Sequence, residues 1–464
     1  MSTRASAPTA WRPLITDPAL VERAERIIDR SAAFFSTQRS RRPDDPRLAA
    51  FLHETSGSDG VLAVSLLFAY LHLDRGDSDT LEAAGDWLEH GVDLASSLAE
   101  PKPWLYAGVA GCGFCLDHLL PRLFAEPDGL LAQEDLNAEL DATLIDFMAQ
   151  QRGRIDPELV MGLSGLGTYF LERLPRPSAA IGLARVIEAL AAQSEASEAG
   201  ITWRKGLAAL SDAHRERFPE GLYNLGIPHG VPGVVAFLAR VCASEAASPL
   251  ARELLEGSAA WLLAQELPVG ASLYPYFSAP GRGPIADETR LAWCYGDLGI
   301  AAALLLAARA LGRRDWEAAA LRAAENAARR GEADSGVEDG MICHGAAGLA
   351  HLFNRLYQAT GRPSLRRAAE SWYLRTLSYH DPANGPTGYA CFIRDPLDAD
   401  TNEGRIIWSE AYGVAVGVTG ISLVLLAGIS RIAPDWDRLL AVEVAPSEAR
   451  ELADALTDEV RDAG

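Results

Sequence analysis

A Gly-x-x-Gly pair followed by an apolar, helix-forming run recurs seven times along this 464-residue chain. The copies begin at Gly57-Ser58-Asp59-Gly60 (then VLAVSLLFAYL), Gly108-Val109-Ala110-Gly111 (CGFCLDHLL) and Gly162-Leu163-Ser164-Gly165 (LGTYFLERL). They continue at Gly230-Val231-Pro232-Gly233 (VVAFLARVC), Gly296-Asp297-Leu298-Gly299 (IAAALLLAARAL), Gly345-Ala346-Ala347-Gly348 (LAHLFNRLY) and Gly417-Val418-Thr419-Gly420 (ISLVLLAGI). The second glycines stand 49 to 72 residues apart. One such pair carries no information, because glycine punctuates turns everywhere. Seven, each opening an apolar helix, define a repeat.

Between the apolar runs lie segments with apolar residues at three- and four-residue spacing beside charged positions: 19–35, 80–96, 135–151, 179–193, 250–265, 315–330 and 364–377. That is the pattern of a helix with one wet face. A helix apolar all round must be buried, so the economical arrangement is two concentric rings with the apolar helices inside. The predicted fold is an all-α, double-layered α/α toroid of seven helix pairs, about fourteen helices, forming a single domain over residues 15–464. Residues 1–14 read as a flexible lead-in. Three stretches break the rhythm, at about 201–226, 268–293 and 379–412, where Pro, Gly and aromatic clusters predict long loops with short hairpins. Long loops on a rigid scaffold are where binding residues usually sit.

A net charge of −21 implies no basic face and argues against a nucleic-acid partner. The longest apolar run, Ile300 to Ala308, falls far short of the roughly 20 residues that span a bilayer. Six cysteines in a long chain that opens without a signal-peptide pattern suit a reducing cytoplasm rather than a disulfide framework.

Three repeats carry polar chemistry at the same place. His229 precedes the first glycine of the fourth, Cys294 lies two residues before that of the fifth, and Cys343-His344 immediately precedes that of the sixth. Equivalent positions of successive repeats face one end of a toroid, so these side chains converge at its mouth. A lone cysteine before a buried helix is usually a small core residue, and a lone histidine can cap or pack. Cys112, Cys115 and Cys242, among apolar helix residues, read as core; Cys391, in a loop, stays undecided. Cys294, Cys343 and His344 together make a zinc set of the catalytic sort, three protein ligands with one open position. Such a metal can activate water or take a substrate thiol, and two thiolate ligands favour thiol chemistry.

The HGxxG of the fourth repeat, Trp293-Cys294-Tyr295-Gly296 of the fifth and Cys343-His344-Gly345 of the sixth resemble the lanthionine synthetase C-like family from about residue 15 to 460. Bacterial members of that family are lanthipeptide cyclases, which add peptide cysteine thiols to dehydroalanine or dehydrobutyrine to form thioether rings. The resemblance implies one Zn2+ per chain on Cys294, Cys343 and His344, with the substrate thiol at the fourth position. It implies His229 as general acid or base, Arg290 stabilising an enolate, and Tyr295 and Trp293 flanking the ligand, with Trp293 shaping the pocket. The family usually has an aspartate four residues before the third repeat's first glycine; here that position is Glu158, so either Glu158 or Asp156 takes its role or the carboxylate is lost. The implied partners are a dehydrated precursor peptide, a separate dehydratase and an export transporter, with the enzyme cytoplasmic or peripheral to a membrane-associated complex.

Two other readings remain. A relative that binds glutathione or another thiol at zinc without making rings would carry the same ligands. A toroidal glycosidase needs paired carboxylates; Glu158, Asp297 and Glu410 are available, but they leave the cysteines and histidines unexplained.

Overall fold

Amphipathic and apolar helices alternate along the chain. The computed structural model describes residues 10–38, 46–54, 60–124, 135–268, 270–394 and 405–447. The amphipathic helices are Pro18–Ser36, Ser78–Ser97, Ala138–Gln150, Pro177–Gln193, Pro249–Leu263, Arg314–Arg329 and Pro363–Ser378. The apolar ones are Val61–Arg75, Val109–Leu123, Leu163–Glu172, Val231–Cys242, Asp297–Leu311, Ala346–Thr360 and Val418–Ile429. Each apolar helix packs against the next apolar helix, and the last packs against the first, so they close an inner ring. The amphipathic helices form the outer layer. The division follows from side-chain pattern: every residue from Ala346 to Ala359 is buried, whereas Arg314–Arg329 buries one stripe led by Trp316, Ala320 and Ala324. The chain has the all-α toroid expected from its repeats; Gly57, Ser58 and Asp59 of the first repeat, and residues 1–9 and 448–464, lie outside the described residues.

The two ends of each inner helix are built differently. At the C-terminal end, Gly76, Gly312 and Gly361 adopt the left-handed conformation and turn the chain into the outer partner two residues later. Five of the seven outer helices begin with side-chain caps from Asp17, Asp77 and Ser248, or with proline in the first turn, as at Pro177 and Pro363. The inner helices have no side-chain cap at the N-terminus. Instead, at five of the seven the segment just before the helix folds back across the first turn and accepts an orphan N–H group. Leu163 N donates to Asp156 O at 2.8 Å, Ala346 N to Asp339 O at 2.9 Å, and Val418 N to Ala411 O at 2.9 Å. This close crossing explains the Gly-x-x-Gly signature. A Cβ at the second glycine would collide with the carbonyl oxygen six residues upstream: Leu159 for Gly165, Ile227 for Gly233, Ile342 for Gly348 and Val414 for Gly420.

The toroid is sealed by the chain's two ends. Helix Pro18–Ser36 is the outer partner of the last inner helix, and Leu14 N and Ile15 N both donate to Gly428 O at 2.9 Å. Trp11 is 3% exposed, and its Nε1 donates to Ala427 O at 2.9 Å. The lead-in expected over residues 1–14 is therefore docked from Trp11 onward, because an indole that size is buried against the last inner helix. At the other terminus, Asp435–Leu440 forms a 3-10 turn, and the segment through Val444 lies across the C-terminal ends of the inner helices as a floor. Asp437 is fully buried between Arg355 of the sixth inner helix (2.6 Å) and His351 (2.7 Å), while Arg438 meets Glu172 of the third (3.0 Å).

The three long loops carry the strands of two sheets. Tyr223–Asn224, Phe277–Ala279 and Gly283–Pro284 form one antiparallel sheet, and Cys391–Arg394 pairs with Ile406–Ser409 in a separate hairpin. Glu195–Ser197 and Gly200–Thr202 form a further hairpin that enters the first loop.

Gly348→Ala is expected to cost about 3 kcal/mol in urea denaturation, since a methyl group there must displace backbone. Gly331→Ala, where a Cβ meets nothing within 4 Å, should stay within about 0.5 kcal/mol of wild type.

Candidate metal centre

The segments that fold back over the inner helices also bond to one another around the mouth. Tyr106 N donates to Val160 O (3.3 Å), Leu159 N to Pro228 O (3.1 Å) and Ile227 N to Cys294 O (3.0 Å). Cys294 N then donates to Cys343 O (3.2 Å), and Cys343 N to Ala415 O (2.8 Å). Every acceptor in this series sits two residues before its repeat's first glycine. Cys294 and Cys343 occupy that position in adjacent repeats, so the backbone sets them side by side. His229, Tyr295 and His344 occupy the following position and reach the same rim.

The ligand atoms of Cys294, Cys343 and His344 all lie within 4.8 Å of one another. Donors on a tetrahedral zinc stand about 3.3–3.8 Å apart, so side-chain adjustments of about 1 Å bring these three onto one ion. Among the described residues this is the one such cluster. The donor set fits zinc: two soft sulfurs and one imidazole nitrogen, the latter lining the second of the clefts beside it. Hydrogen bonding from Cys343, with His344 and the charge of Arg290 adding to it, outweighs burial and lowers the Cys294 thiol to about 5. Burial opposes charge on His344, but the Cys294 thiolate and the Asp339 carboxylate raise its pKa. His344 Nε2 lies 3.4 Å from Phe392 O, and Asp339 accepts from Phe392 N at 2.8 Å and Met341 N at 3.1 Å, so a buried carboxylate steadies the loop behind the ligand.

Two clefts flank the cluster. One, of about 840 Å³, is lined by His229, Tyr295, Glu158, Asp156, Lys205 and Arg215 among others. The second, of about 690 Å³, contains His344 and Arg290 beside Phe51, Phe392, Ile406 and Tyr412; Arg394 borders both.

In the first cleft the two carboxylates make different contacts. Glu158 Oε2 lies 2.5 Å from His229 Nδ1, and Glu158 Oε1 accepts the Met161 N–H. Asp156 instead pairs with Lys205 at 3.6 Å and is half exposed. The histidine is thus held through Nδ1 by a buried, doubly engaged carboxylate, which leaves Nε2 as its free ring nitrogen. Tyr295 receives a hydrogen bond from Asn224 Nδ2 at 2.9 Å, and burial raises its phenol to about 12. Arg290 is exposed at the edge of the second cleft, and its guanidinium makes no ion pair among the described residues.

Trp293 departs from its expected role. It lines neither cleft; it is buried, stacks on Tyr106 with centroids 6.5 Å apart, and donates from Nε1 to Leu440 O at 2.9 Å. Asp297 and Glu410, the carboxylates a glycosidase would need, are structural acceptors. Asp297 takes Leu273 N, Tyr274 N and Asn326 Nδ2, and Glu410 takes the Thr387 amide and hydroxyl. Asn224, Asp339, Lys205 and Arg394 join the site without having been singled out in the sequence. Asn224 and Asp339 had one available signal, since both stand six residues before a repeat's first glycine, as Asp156 and Arg290 do.

A family model described as lanthionine synthetase C-like protein matches residues 52–441. The chain belongs to the lanthionine synthetase C-like family. Among solved structures, a nisin cyclase superposes with a TM-score of 0.68 at 18% identity, over 90% of this chain and 97% of that one. A sugar epimerase from a ruminal bacterium gives 0.42 at 12% identity, over 88% and 98%. At such identity the nisin cyclase likeness speaks to the toroid shared with the lanthionine synthetase C-like fold.

In metal-free protein, the Cys294 thiolate should form with an apparent pKa of about 5, and Cys343→Ala should move it up towards the ordinary thiol value. Because the folded value is depressed, the thiolate's stabilisation of the fold is complete above the ordinary thiol value of 9.0, shrinks as pH falls through neutrality and is gone below about 5. Ultraviolet thiolate absorbance against pH, followed with the unfolding midpoint, measures both.

Proposed function

We propose that this chain is a zinc-dependent lanthipeptide cyclase that adds precursor-peptide cysteine thiols to dehydroalanine or dehydrobutyrine. The observation carrying this reading is the Cys294, Cys343 and His344 cluster set between two open clefts, with the Glu158-anchored His229 lining one of them. A zinc ion held by these three residues would supply a Lewis acid that lowers the pKa of a thiol entering the fourth position.

The remaining work falls to the chain's own groups. The thiol sulfur attacks the β-carbon of the dehydro residue, forming the C–S bond and pushing the π electrons onto the carbonyl oxygen as an enolate. A proton must then reach the α-carbon. His229 Nε2 can carry it, and the Glu158 carboxylate on Nδ1 fixes the tautomer and steadies the imidazolium between transfers. Arg290, at the edge of the second cleft and without an ion pair among the described residues, offers its charge to the enolate. Tyr295, held by Asn224, is a wall of the first cleft and a neutral donor at physiological pH.

The nisin cyclase is named for closing rings in a peptide, which agrees with clefts of about 840 and 690 Å³ open on both sides of the cluster. The peptide must arrive with its serines or threonines already dehydrated, so a separate dehydratase precedes this step and an exporter would follow it. No helix among the described residues is long and apolar enough to cross a membrane; a cytoplasmic site of action is part of the proposal.

Purified protein, zinc and a dehydrated cysteine-containing peptide test the reading by loss of free thiol at unchanged peptide mass. His229→Ala should keep its zinc and lose about 100- to 1,000-fold in rate, and Glu158→Gln should lose less while altering the pH profile. Zinc and thiol binding with no ring formation would instead support the thiol-binding relative.

A further inference from the structure

The clefts on the two sides of the metal centre differ in chemistry. The first mixes Lys205, Arg215, Asp156 and Glu158 with apolar side chains such as Met161 and Phe277. The second is walled more fully by apolar groups, Phe51, Phe392, Ile406, Tyr412 and Val416, with Arg47, Glu54, Arg290, Arg394 and Glu410 around them, and it contains His344 itself. Its outer wall is the hairpin of Cys391–Arg394 and Ile406–Ser409, in which Phe392 opposes Trp408 and Arg394 opposes Ile406. Side chains two apart in a strand share a face, so Phe392, Arg394, Ile406 and Trp408 form one surface. Phe392 and Trp408 pack with ring centroids 5.3 Å apart, yet Trp408 is 52% exposed and Ile406 49% exposed.

Exposed indole and sec-butyl groups on one hairpin face are costly in water and mark a contact surface. Three observations fix what that surface meets. It is continuous with the cleft holding a metal-ligand candidate, its backbone touches that candidate through Phe392 O, and the lining of this cleft is the more apolar of the two. Neighbouring Cα atoms in a peptide are about 3.8 Å apart, so a residue beside a cysteine whose sulfur sits at the cluster reaches this cleft. A volume of about 690 Å³ accommodates a large side chain with part of its backbone.

We propose that the apolar cleft and the Phe392–Trp408 hairpin face receive a large apolar or aromatic residue that neighbours the reacting cysteine of the peptide substrate. This rests on the cyclase reading and adds to it a substrate class: cysteines with an apolar neighbour are bound and cyclised in preference to cysteines flanked by small polar residues.

The test uses the full, zinc-loaded chain and two labelled synthetic peptides that differ only in whether phenylalanine or serine flanks the single cysteine, with fluorescence anisotropy as readout. Wild type is expected to bind the phenylalanine peptide at least about tenfold more tightly. Trp408→Ser and Ile406→Ser should each erode that preference while zinc stays at one ion per chain. Equal affinities in wild type, or a preference that survives in both variants, overturns the inference. If equal binding accompanies intact ring formation, the cyclase reading stands and this inference alone fails. If neither peptide binds although zinc is present, the thiol-docking site itself is gone, and both fail.

Discussion

The series of backbone hydrogen bonds along the mouth is the constraint from which the rest of the structure follows. It links the second repeat through to the seventh, each acceptor standing two residues before its repeat's first glycine, and at two adjacent stations those residues are Cys294 and Cys343. A metal-ligand pair needs its sulfurs held within about 4 Å before the metal arrives, and here main-chain bonds do the holding. At the Cys343 repeat the same segment also accepts N–H groups of the inner helix, Ala346 N donating to Asp339 O and Ala347 N to Gly340 O, so Cys343 cannot loosen without uncapping that helix. The glycines that admit the close crossing are thus a condition for the chemistry as well as for the fold.

The mouth is also tied to the floor through the middle of the barrel. Trp293 Nε1 donates to Leu440 O at 2.9 Å, and Tyr106 Oη donates to Leu439 O at 2.8 Å. Those carbonyls belong to the C-terminal plug, whose Asp437 is fully buried among Arg355 and His351. Asp437 stays ionised because the arginine and histidine outweigh the burial that opposes its charge, so its pKa is lowered. Removing one partner of such a buried set typically costs about 3–5 kcal/mol. Trp293, next in sequence to Cys294, therefore anchors the Cys294 segment to an element far along the chain.

Much of this was legible because burial writes itself into sequence. Helices apolar on all sides have nowhere to go but an inner ring, and a repeated glycine pair marks where each begins. The ligand set was legible because ring symmetry converts equivalent positions into neighbours. Legibility ended where the answer depends on direction. Successive residues of an extended segment point to opposite sides, so Cys294 faces the rim while Trp293 faces the interior, and adjacency had suggested otherwise. Glu158 and Asp156 are two residues apart and chemically alike; only the fold brings one to His229 and the other to Lys205. The docking of Trp11 on the last inner helix and the apolar face of the 391–409 hairpin arise from contacts across hundreds of residues or between strands, which no local pattern encodes.

The most direct test is the metal content of the purified chain beside Cys294→Ala and Cys343→Ala, with far-ultraviolet circular dichroism as the measure of fold. The account predicts one zinc per wild-type chain, lost in both variants while the helical signal is retained, because the closed packing of the inner helices and not the metal holds the toroid together. A wild-type chain that takes up no zinc under metal-protecting conditions, or variants that keep it, would contradict the assignment of these residues as a thiol-activating centre.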